Sequence, residues 1–294
     1  MDSRQLREKA SNLFDQMKWE ESIEYYTQAI ELDPDYGEAY RGRGGAYSNI
    51  GQHSRALPDL DRAIELNDQD EKAFSNRGLV HLALEDYDRA IADFDAAIVL
   101  KPDYTRAFFN RGVTYFQMKQ YDRAIANFDA AIELDSNDSR SYYNRGVCYL
   151  ELEEYKKALP DFYLATTLAP NDKNIYYKKA ATHLRLKQYQ AAFEDYSKIV
   201  ELDPTEQAAY CLRAQMWANS GQYTEAFDDW SQVIELNPGH DEAYTQRAFC
   251  CIQMFLNPAI ADLQQAEKIY METNQKEKQE EIRSLIDSLN QIKF

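Results

Sequence analysis

Apolar and small side chains recur along this chain with a spacing that predicts pairs of helices. Within a repeat of 34 residues, they occupy positions 4, 8 and 11 and then positions 20, 24 and 27, counted from the first residue of the repeat. Steps of three and four residues place each trio on one face of a helix. Each repeat is therefore predicted to form two antiparallel helices that bury these faces against each other.

The repeat keeps a strict register. Residues 87–98 and 121–132 agree at eleven of twelve positions, at an offset of 34 residues. A fixed period of this length is typical of stacked-repeat proteins. It divides the chain into seven complete repeats, a degenerate eighth repeat that has lost one residue, and a C-terminal segment, namely 3–36, 37–70, 71–104, 105–138, 139–172, 173–206, 207–240, 241–273 and 274–294.

Small residues at positions 8 and 20 predict where the two helices of a repeat cross. Position 8 is Gly or Ala in every repeat, and position 20 is Ala in all complete repeats except the first, which has Ser22. Two helices approach to about 8 Å only where the side chains between them are small. Large side chains at positions 4 and 24 then fill the space one turn away. Proline at position 32 ends the second helix in five of the seven complete repeats, and Asp68 and Ser136 take its place in the other two.

The combined pattern at positions 4, 8, 11, 17, 20, 24, 27 and 32 resembles the tetratricopeptide repeat (TPR) family over about 270 residues of the chain. The resemblance implies an all-α fold, a right-handed α-solenoid of about eight helix hairpins that forms a single superhelical domain over 1–294. It also implies that the first helix of each hairpin lines a concave groove. Such grooves bind partner proteins, often as extended peptides.

The C-terminal segment 274–294 is predicted to be a helix, because Ile282, Leu285, Ile286, Leu289 and Ile292 recur at helical spacing. We interpret it as a cap that covers the last repeat. A docking helix for a partner or for a second copy is the alternative. The first repeat begins at residue 3, so the N-terminal end of the solenoid is a candidate surface for self-association.

Polar residues on the first helices indicate a peptide site. Positions 2, 6, 9 and 13 share one face, which the resemblance assigns to the groove. In three successive repeats this face has a basic residue at position 2 and asparagine at position 6, the next repeat inverts the order, and aromatic residues flank the row. The predicted peptide-binding residues are Lys72, Asn76, Arg106, Asn110, Arg140, Asn144, Phe109, Tyr143, Tyr177 and Lys178.

An asparagine amide both donates and accepts hydrogen bonds, so a row of them can pair with the backbone of an extended peptide. Basic side chains beside the row select acidic side chains or a C-terminal carboxylate. The hypothesis is therefore that repeats three to six bind an acidic peptide. The alternative is that these polar residues only solvate an exposed face.

Some TPR proteins hold the acidic C-terminal tails of heat-shock chaperones with a clamp of basic and amide side chains. Arg41, Asn76 and Arg106 fall on three of the five clamp positions that the resemblance implies. Gly45 and Asn110 depart from the other two, where an asparagine and a basic residue are expected. A co-chaperone is therefore one alternative function, and a structural protein that assembles end to end is another.

Position 7 carries a basic residue in every repeat from the second to the eighth: Arg43, Arg77, Arg111, Arg145, Lys179, Arg213 and Arg247. Position 23 on the second helix is Asp or Asn in the second to seventh repeats. In an antiparallel hairpin these two positions can lie within reach of each other. We predict internal pairing between them, and not a basic surface patch.

Composition narrows the class of protein. The net charge of −17 repels a phosphate backbone, so nucleic acid is not expected as the main partner. The four cysteines form no C-x-x-C pair and are expected to be reduced. No catalytic, metal or cofactor site is predicted, because the four histidines are far apart and no glycine-rich phosphate loop is present. No membrane insertion is expected, since apolar runs are short and no signal peptide is evident, and a cytoplasmic location is the expectation.

Overall fold

The structure is a computed structural model that describes residues 1–272 and 275–292. Contacts divide the chain into two compact units, Met1–Pro170 and Asn171–Phe294. All regular secondary structure in the described residues is helical, with sixteen helices in tandem hairpins. The all-α fold predicted from the 34-residue period is confirmed, whereas one continuous superhelix over 1–294 stays a prediction.

The first unit contains five hairpins, one for each of the first five repeats. Its helices are α1 (Ser3–Asp15), α2 (Trp19–Leu32), α3 (Gly37–Asn49), α4 (His53–Leu66), α5 (Glu71–Ala83), α6 (Tyr87–Leu100), α7 (Thr105–Gln117), α8 (Tyr121–Leu134), α9 (Ser139–Glu151) and α10 (Tyr155–Leu168). The first helices of neighbouring repeats contact one another, α1 with α3 and so on to α7 with α9. They therefore form a continuous wall on one side of this unit.

The helices of each hairpin cross where the sequence predicts. In the third repeat, a Cβ atom on Gly78 would lie only 2.8 Å from the ring of Phe94, so even alanine is too large there without a shift. In the first repeat, the Ser22 hydroxyl at position 20 donates to the Ala10 carbonyl at position 8, at 2.9 Å. The side chains at position 24, such as Phe94 and Phe128, are fully buried. Close approach of the two helices is what allows this burial.

The turn inside each complete repeat has one feature that sequence analysis missed. Position 15 adopts a left-handed backbone conformation, with φ between +58° and +78°, at Met17, Gly51, Glu85, Lys119, Glu153, Lys187 and Gly221. This conformation is unfavourable for bulky residues and favourable for glycine. It reverses the chain between the two helices of a hairpin.

The second unit contains two further complete repeats and a different C-terminal part. Its helices are α11 (Lys173–Arg185), α12 (Tyr189–Leu202), α13 (Gln207–Asn219), α14 (Tyr223–Leu236), α15 (Asp241–Glu272) and α16 (Lys276–Ile292). The segment 241–273 was expected to form two helices, but α15 runs unbroken for 32 residues. Phe255 stands at the left-handed position and the segment is one residue shorter there, which disfavours the turn.

Helix α16 packs against α15, and Ile286 at the centre of its apolar face is 7% exposed. The segment thus forms a helix as predicted, and its role as a cap on the last repeat stays a prediction. Residues 273, 274, 293 and 294 of the predicted eighth repeat and cap lie outside the described residues. The side chain of Ile292 is likewise outside the described part.

Candidate functional site

The wall of first helices in the first unit contains a groove of about 550 Å³, which we call the basic groove. Four repeats contribute to it, through α1, α3, α5, the start of α2, and α7 with the turn before it. Its lining residues are Phe14, Asp15, Met17, Trp19, Arg41, Gly45, Ser48, Asn49, Lys72, Asn76, Leu79, Tyr104 and Arg106. The groove is therefore centred on repeats one to four, closer to the N-terminus than the predicted row.

Gly45 on α3 leaves room in the basic groove, because a Cβ atom there would meet only Asn76 Nδ2 at 3.5 Å and the Phe14 ring at 3.7 Å. Gly42, one turn earlier, has a different role. Position 6 is asparagine in the next three repeats but Gly42 in the second, and a Cβ atom there would lie 2.2 Å from the ring of Tyr26. The Tyr26 ring thus occupies the volume that a side chain at position 6 would fill. An adjoining pocket of about 200 Å³ is lined by Tyr26 and shares Phe14 and Arg41 with the basic groove. Burial raises the pKa of the Tyr26 hydroxyl, which keeps it protonated.

The charges in the basic groove are unevenly compensated. Arg41 is paired with the buried carboxylate of Asp70, whose other oxygen accepts from the backbone amides of Lys72 and Ala73 at the start of α5. Among the described residues, no ion pair involves the side chain of Lys72 or of Arg106. Lys72 and Arg106 therefore face the groove without an ion-pair partner in the described part of the chain, although the exposed carboxylate of Asp15 also lines the groove.

One end of the basic groove is apolar. Phe14 and Trp19 are half-buried, and Met17 at the turn between α1 and α2 is 73% exposed. Leu79 and Tyr104 extend the apolar lining towards the third and fourth repeats. A ligand in this groove can place an apolar side chain beside an acidic group.

The predicted asparagine row is split by the structure. Asn76 lines the basic groove with Lys72 and Arg106. Asn110 is only 7% exposed, and its Nδ2 atom has no hydrogen-bond partner among the described residues. Asn144 donates from Nδ2 to the Arg140 carbonyl at 2.8 Å, within its own helix. Only Asn76 is thus both in the groove and available for a ligand.

The other predicted site residues mostly pack against side chains of their own or the preceding repeat. Arg140 pairs with Asp138 at 2.8 Å and lies over the ring of Phe109, with 4.8 Å between its guanidinium carbon and the ring centroid. Phe109 contacts Phe128, with 5.8 Å between the ring centroids. These contacts give Arg140 and Phe109 a structural role.

Tyr143 and Tyr177 occupy the same position in the next two repeats and pack in the same way. Their rings lie edge-on to Phe162 and Tyr196, with ring centroids 6.2 and 6.3 Å apart. Burial raises the pKa of Tyr177. Tyr177 and the half-buried Lys178 belong to the second unit, apart from the basic groove.

In the second to seventh repeats the basic residues at position 7 pair with position 23, as predicted, whereas Arg247 of the eighth repeat donates to the Ser231 hydroxyl at 3.3 Å. Arg43 binds both oxygens of Asp59 at 2.7 and 2.8 Å. Equivalent contacts join Arg77 to Asp93, Arg111 to Asn127, Arg145 to Asp161, Lys179 to Asp195 and Arg213 to Asp229. These side chains therefore hold the two helices of a hairpin together and do not form a basic patch.

Some of these arginines also bind a carboxylate of the preceding repeat, which was not predicted from the sequence. Arg77 also binds Asp61 at 2.7 Å, and Arg145 also binds Asp129 at 2.6 Å. Both partners occupy position 25 of the preceding repeat, sixteen residues before the arginine. Each such arginine, which we call a bridging arginine, joins three helices from two repeats.

Several residues that line the basic groove were not assigned to a site from the sequence: Phe14, Asp15, Met17, Trp19, Ser48, Asn49, Leu79 and Tyr104. One signal for them was present in the sequence. The second repeat has glycine at positions 6, 8 and 9, in the run Arg-Gly-Arg-Gly-Gly. Side chains are missing on the groove face of α3, and the wall of first helices has room for the groove there.

The remaining candidates for chemistry have structural surroundings. The four cysteines are free thiols, and burial raises the pKa of Cys148 to about 12, which disfavours the reactive thiolate. The described residues contain no cluster of three or more His, Cys, Asp or Glu side chains that could hold a metal ion. Among the described helices, none has the length and apolar character that a membrane-crossing segment requires.

Family comparisons agree with the architecture. Models described as tetratricopeptide repeat match residues 46–105, 75–138, 109–173 and 174–206, and one described as TPR repeat matches residues 11–51. The chain belongs to the tetratricopeptide repeat family. TPR repeats indicate a scaffold for protein–protein interactions, which is the class of function that the family membership supports.

Solved TPR structures share the fold at low sequence identity. The C-terminal part of a TPR protein from Cytophaga hutchinsonii matches with a TM-score of 0.67 and 18% identity, over 81% of this chain and 98% of that one. PilF of Pseudomonas aeruginosa matches with a TM-score of 0.60 and 20% identity, over 72% of this chain and 96% of that one. YrrB, described as a TPR protein with an unusual peptide-binding site, matches with a TM-score of 0.54 and 22% identity, over 64% and 97%.

A curated relative is similar over a short stretch. Hsp70-Hsp90 organizing protein 1 of Glycine max is 36% identical over 56 residues, which are 19% of this chain and 10% of that protein. This chain therefore matches about a tenth of the length of that relative.

Proposed function

We propose that this chain is a non-enzymatic scaffold that binds an extended acidic segment of a partner protein in the basic groove. One observation carries the proposal: Lys72 and Arg106 line the same groove and have no carboxylate partner among the described residues. The chain has a net charge of −17, so two basic side chains without an acidic partner on the groove wall are unusual. Their positive charge favours an acidic ligand.

The rest of the groove fits a peptide. The Asn76 amide can donate to and accept from the backbone of an extended chain. The apolar end at Phe14, Met17 and Trp19 can receive an apolar side chain, which anchors such peptides through buried area. The predicted ligand is thus an extended segment with an acidic group a few residues from an apolar one.

The fluorescence of Trp19, which lines the groove, provides a test of this proposal. A library of ten-residue peptides with acidic and apolar residues is titrated into the full chain, and binding is followed by the fluorescence change. The variant Trp19→Phe identifies which part of the signal comes from the groove, because Trp217 and Trp230 also fluoresce. We expect the best acidic peptide to bind with a dissociation constant in the micromolar range, about −8 kcal/mol.

A charge variant then tests the residues. Lys72→Ala combined with Arg106→Ala is expected to weaken binding at least about a hundredfold, because each removes a charge-assisted contact of about 1.5–3 kcal/mol. Arg89→Ala is the matched control, since Arg89 is an exposed cation on the second helix α6, away from the groove. Equal affinity of the double variant and the native chain would refute the acidic-peptide proposal.

A co-chaperone that reads acidic C-terminal tails is the second candidate. Arg41, Asn76 and Arg106 all line the basic groove, and the curated relative named above is a chaperone-organizing protein. Gly45 and Asn110 depart from the clamp pattern, and the charge of Arg41 is already compensated by Asp70. Amidation of the peptide C-terminus separates the two candidates, because only a reader of C-terminal tails loses affinity when the terminal carboxylate is removed.

A further inference from the structure

The first half of α15 is the first helix of a repeat whose second helix is missing. Position 8 is buried in all seven complete repeats, yet its equivalent Ala248 is exposed. Tyr244 at position 4 is 45% exposed, and Ile252 one turn after Ala248 is 43% exposed. A helix face that every complete repeat covers with its own second helix is therefore open in the last one.

The sequence that could cover this face is present in the same chain. After the one-residue loss, Ala259, Leu263 and Ala266 continue the pattern of positions 20, 24 and 27 that marks a second helix. In complete repeats, position 8 meets position 24 at the helix crossing, as Gly78 meets Phe94. Along one unbroken helix, however, Ala248 and Leu263 are about 22 Å apart. The two faces cannot meet within a chain whose α15 is continuous.

The second half of α15 already has the surroundings of a second helix. Helix α16 packs on it, with Ile260 and Ile286 buried. Arg283 pairs with Glu267 at 2.8 Å, sixteen residues earlier. Bridging arginines such as Arg77 use the same sixteen-residue spacing to bind the preceding second helix. The second half of α15 and helix α16 thus pack together like a second helix and its following neighbour. They lack only a first helix on which to dock.

We propose that two copies of this chain form a dimer by exchanging residues 259–292. The second half of α15 and the helix α16 of one copy dock on the open face of the other, and the exchange is reciprocal. Two α15 helices run antiparallel, with Ala248 of each copy against Leu263 of the other. The two-fold axis then passes midway between these positions, beside Phe255, which is 75% exposed and would be covered by the same contact.

The hinge explains why the exchange occurs between copies. A closed hairpin needs a left-handed residue at position 15, which seven complete repeats supply. Long side chains such as Met17 and Glu85 tolerate this conformation, so Phe255 at the same position does not by itself prevent closure. The difference is the lost residue, which leaves the segment too short to form the same turn. Pairing with a second copy makes the same side-chain contacts without a turn, and short hinges favour such domain swapping.

The test uses two variants that each add one cysteine to the native four, Ala248→Cys and Leu263→Cys. The two variants are mixed in equal amounts, unfolded, refolded together and then oxidised with glutathione disulfide. We expect a disulfide between the two different chains, identified by mass spectrometry of the linked peptides, and a dimer mass by light scattering. Native Cys148, Cys211, Cys250 and Cys251 are controlled by the unmodified chain. A second control pairs Ala248→Cys with Gln264→Cys, one residue off the docking face.

A hinge repair sharpens the test. Phe255→Gly with one glycine inserted after it restores both the length and the left-handed residue, and we expect this variant to be monomeric with an unchanged helix content. A monomeric native chain at micromolar concentration would overturn the proposal. A disulfide that forms only within one chain carrying both new cysteines would also overturn it. The same holds for a dimer in which the two variants do not cross-link, because such a dimer pairs through another surface or docks a different helix on α15.

Discussion

Arg106 and Arg111 lie five residues apart on α7 and have opposite surroundings. Arg111 binds Asn127 Oδ1 at 2.7 Å and also pairs with Asp95 of the preceding repeat. Arg106 faces the basic groove with no ion-pair partner among the described residues. The same residue type on one helix thus stabilises the stack on one face and is available for a ligand on the other.

This difference separates basic residues that stabilise the fold from those that the proposed peptide site uses. The chain has 33 Lys and Arg residues, so a basic residue alone identifies nothing. A bridging arginine has a carboxylate or amide at both position 23 of its own repeat and position 25 of the repeat before. A groove cation has neither, and its charge is left for a partner.

The largest effect is expected at Arg145, which like Arg77 is a bridging arginine with two carboxylate partners. Asp161 is 3% exposed, so Arg145→Ala leaves a buried charge without its main partner. Breaking a pair of this kind costs about 3 kcal/mol. Urea unfolding followed by circular dichroism measures the loss.

Arg140→Ala is the matched control on the same helix. Arg140 is 67% exposed, and its pair with Asp138 is expected to contribute at most about 1 kcal/mol. Equal losses at Arg140 and Arg145 would contradict the distinction between the two faces.

The pH dependence of the Arg145→Ala variant sharpens the comparison. Burial raises the pKa of Asp161, and the nearby Arg145 guanidinium opposes this rise. Without the arginine, the pKa of Asp161 in the folded state rises further above its unfolded value. The ionised carboxylate then costs stability above the folded pKa, and this cost disappears as pH falls below the unfolded pKa of about 4.

The gap in unfolding free energy between the variant and the native chain is therefore expected to narrow from pH 7 to about pH 4. Unfolding curves at four or five pH values measure this gap. A gap that widens towards low pH would contradict the assignment to Asp161.

The smallest effect on stability is expected in the groove. Arg106→Ala removes an exposed cation without an internal partner, so the free energy of unfolding should change by less than about 0.5 kcal/mol. Binding of an acidic peptide should weaken in the same variant. Raising the salt concentration from about 0.05 to 0.5 M should also weaken peptide binding, because exposed charges are screened. A destabilisation as large as that of Arg145→Ala would remove the basis of the comparison.

Much of the fold was predictable from the sequence because its causes are local. Small residues at positions 8 and 20 and large ones at position 24 define the helix crossing, and internal pairing at position 7 followed from its distance to position 23. The second partner of the bridging arginines lies in a neighbouring repeat, so a single repeat does not reveal it. The continuous α15 was missed because the left-handed requirement at position 15 is a property of the backbone.

The site was harder to predict than the fold. The Lys-Asn and Arg-Asn pairs look alike in three repeats, but Asn110 is buried and Arg140 is held by Asp138 and Phe109. Those differences depend on neighbours that the repeat pattern does not distinguish. The groove has space because side chains are missing on α3. A pattern of charged and polar residues does not indicate a site that depends on missing side chains.

The partner that each bridging arginine has in another repeat always lies towards the N-terminus. Arg77 binds Asp61 and Arg145 binds Asp129, so every such bond needs only residues that the ribosome has already made. A newly synthesised repeat can therefore be fastened to the finished part of the stack as soon as its own second helix has emerged. The direction of one side chain gives the array an order of assembly that matches the direction of translation.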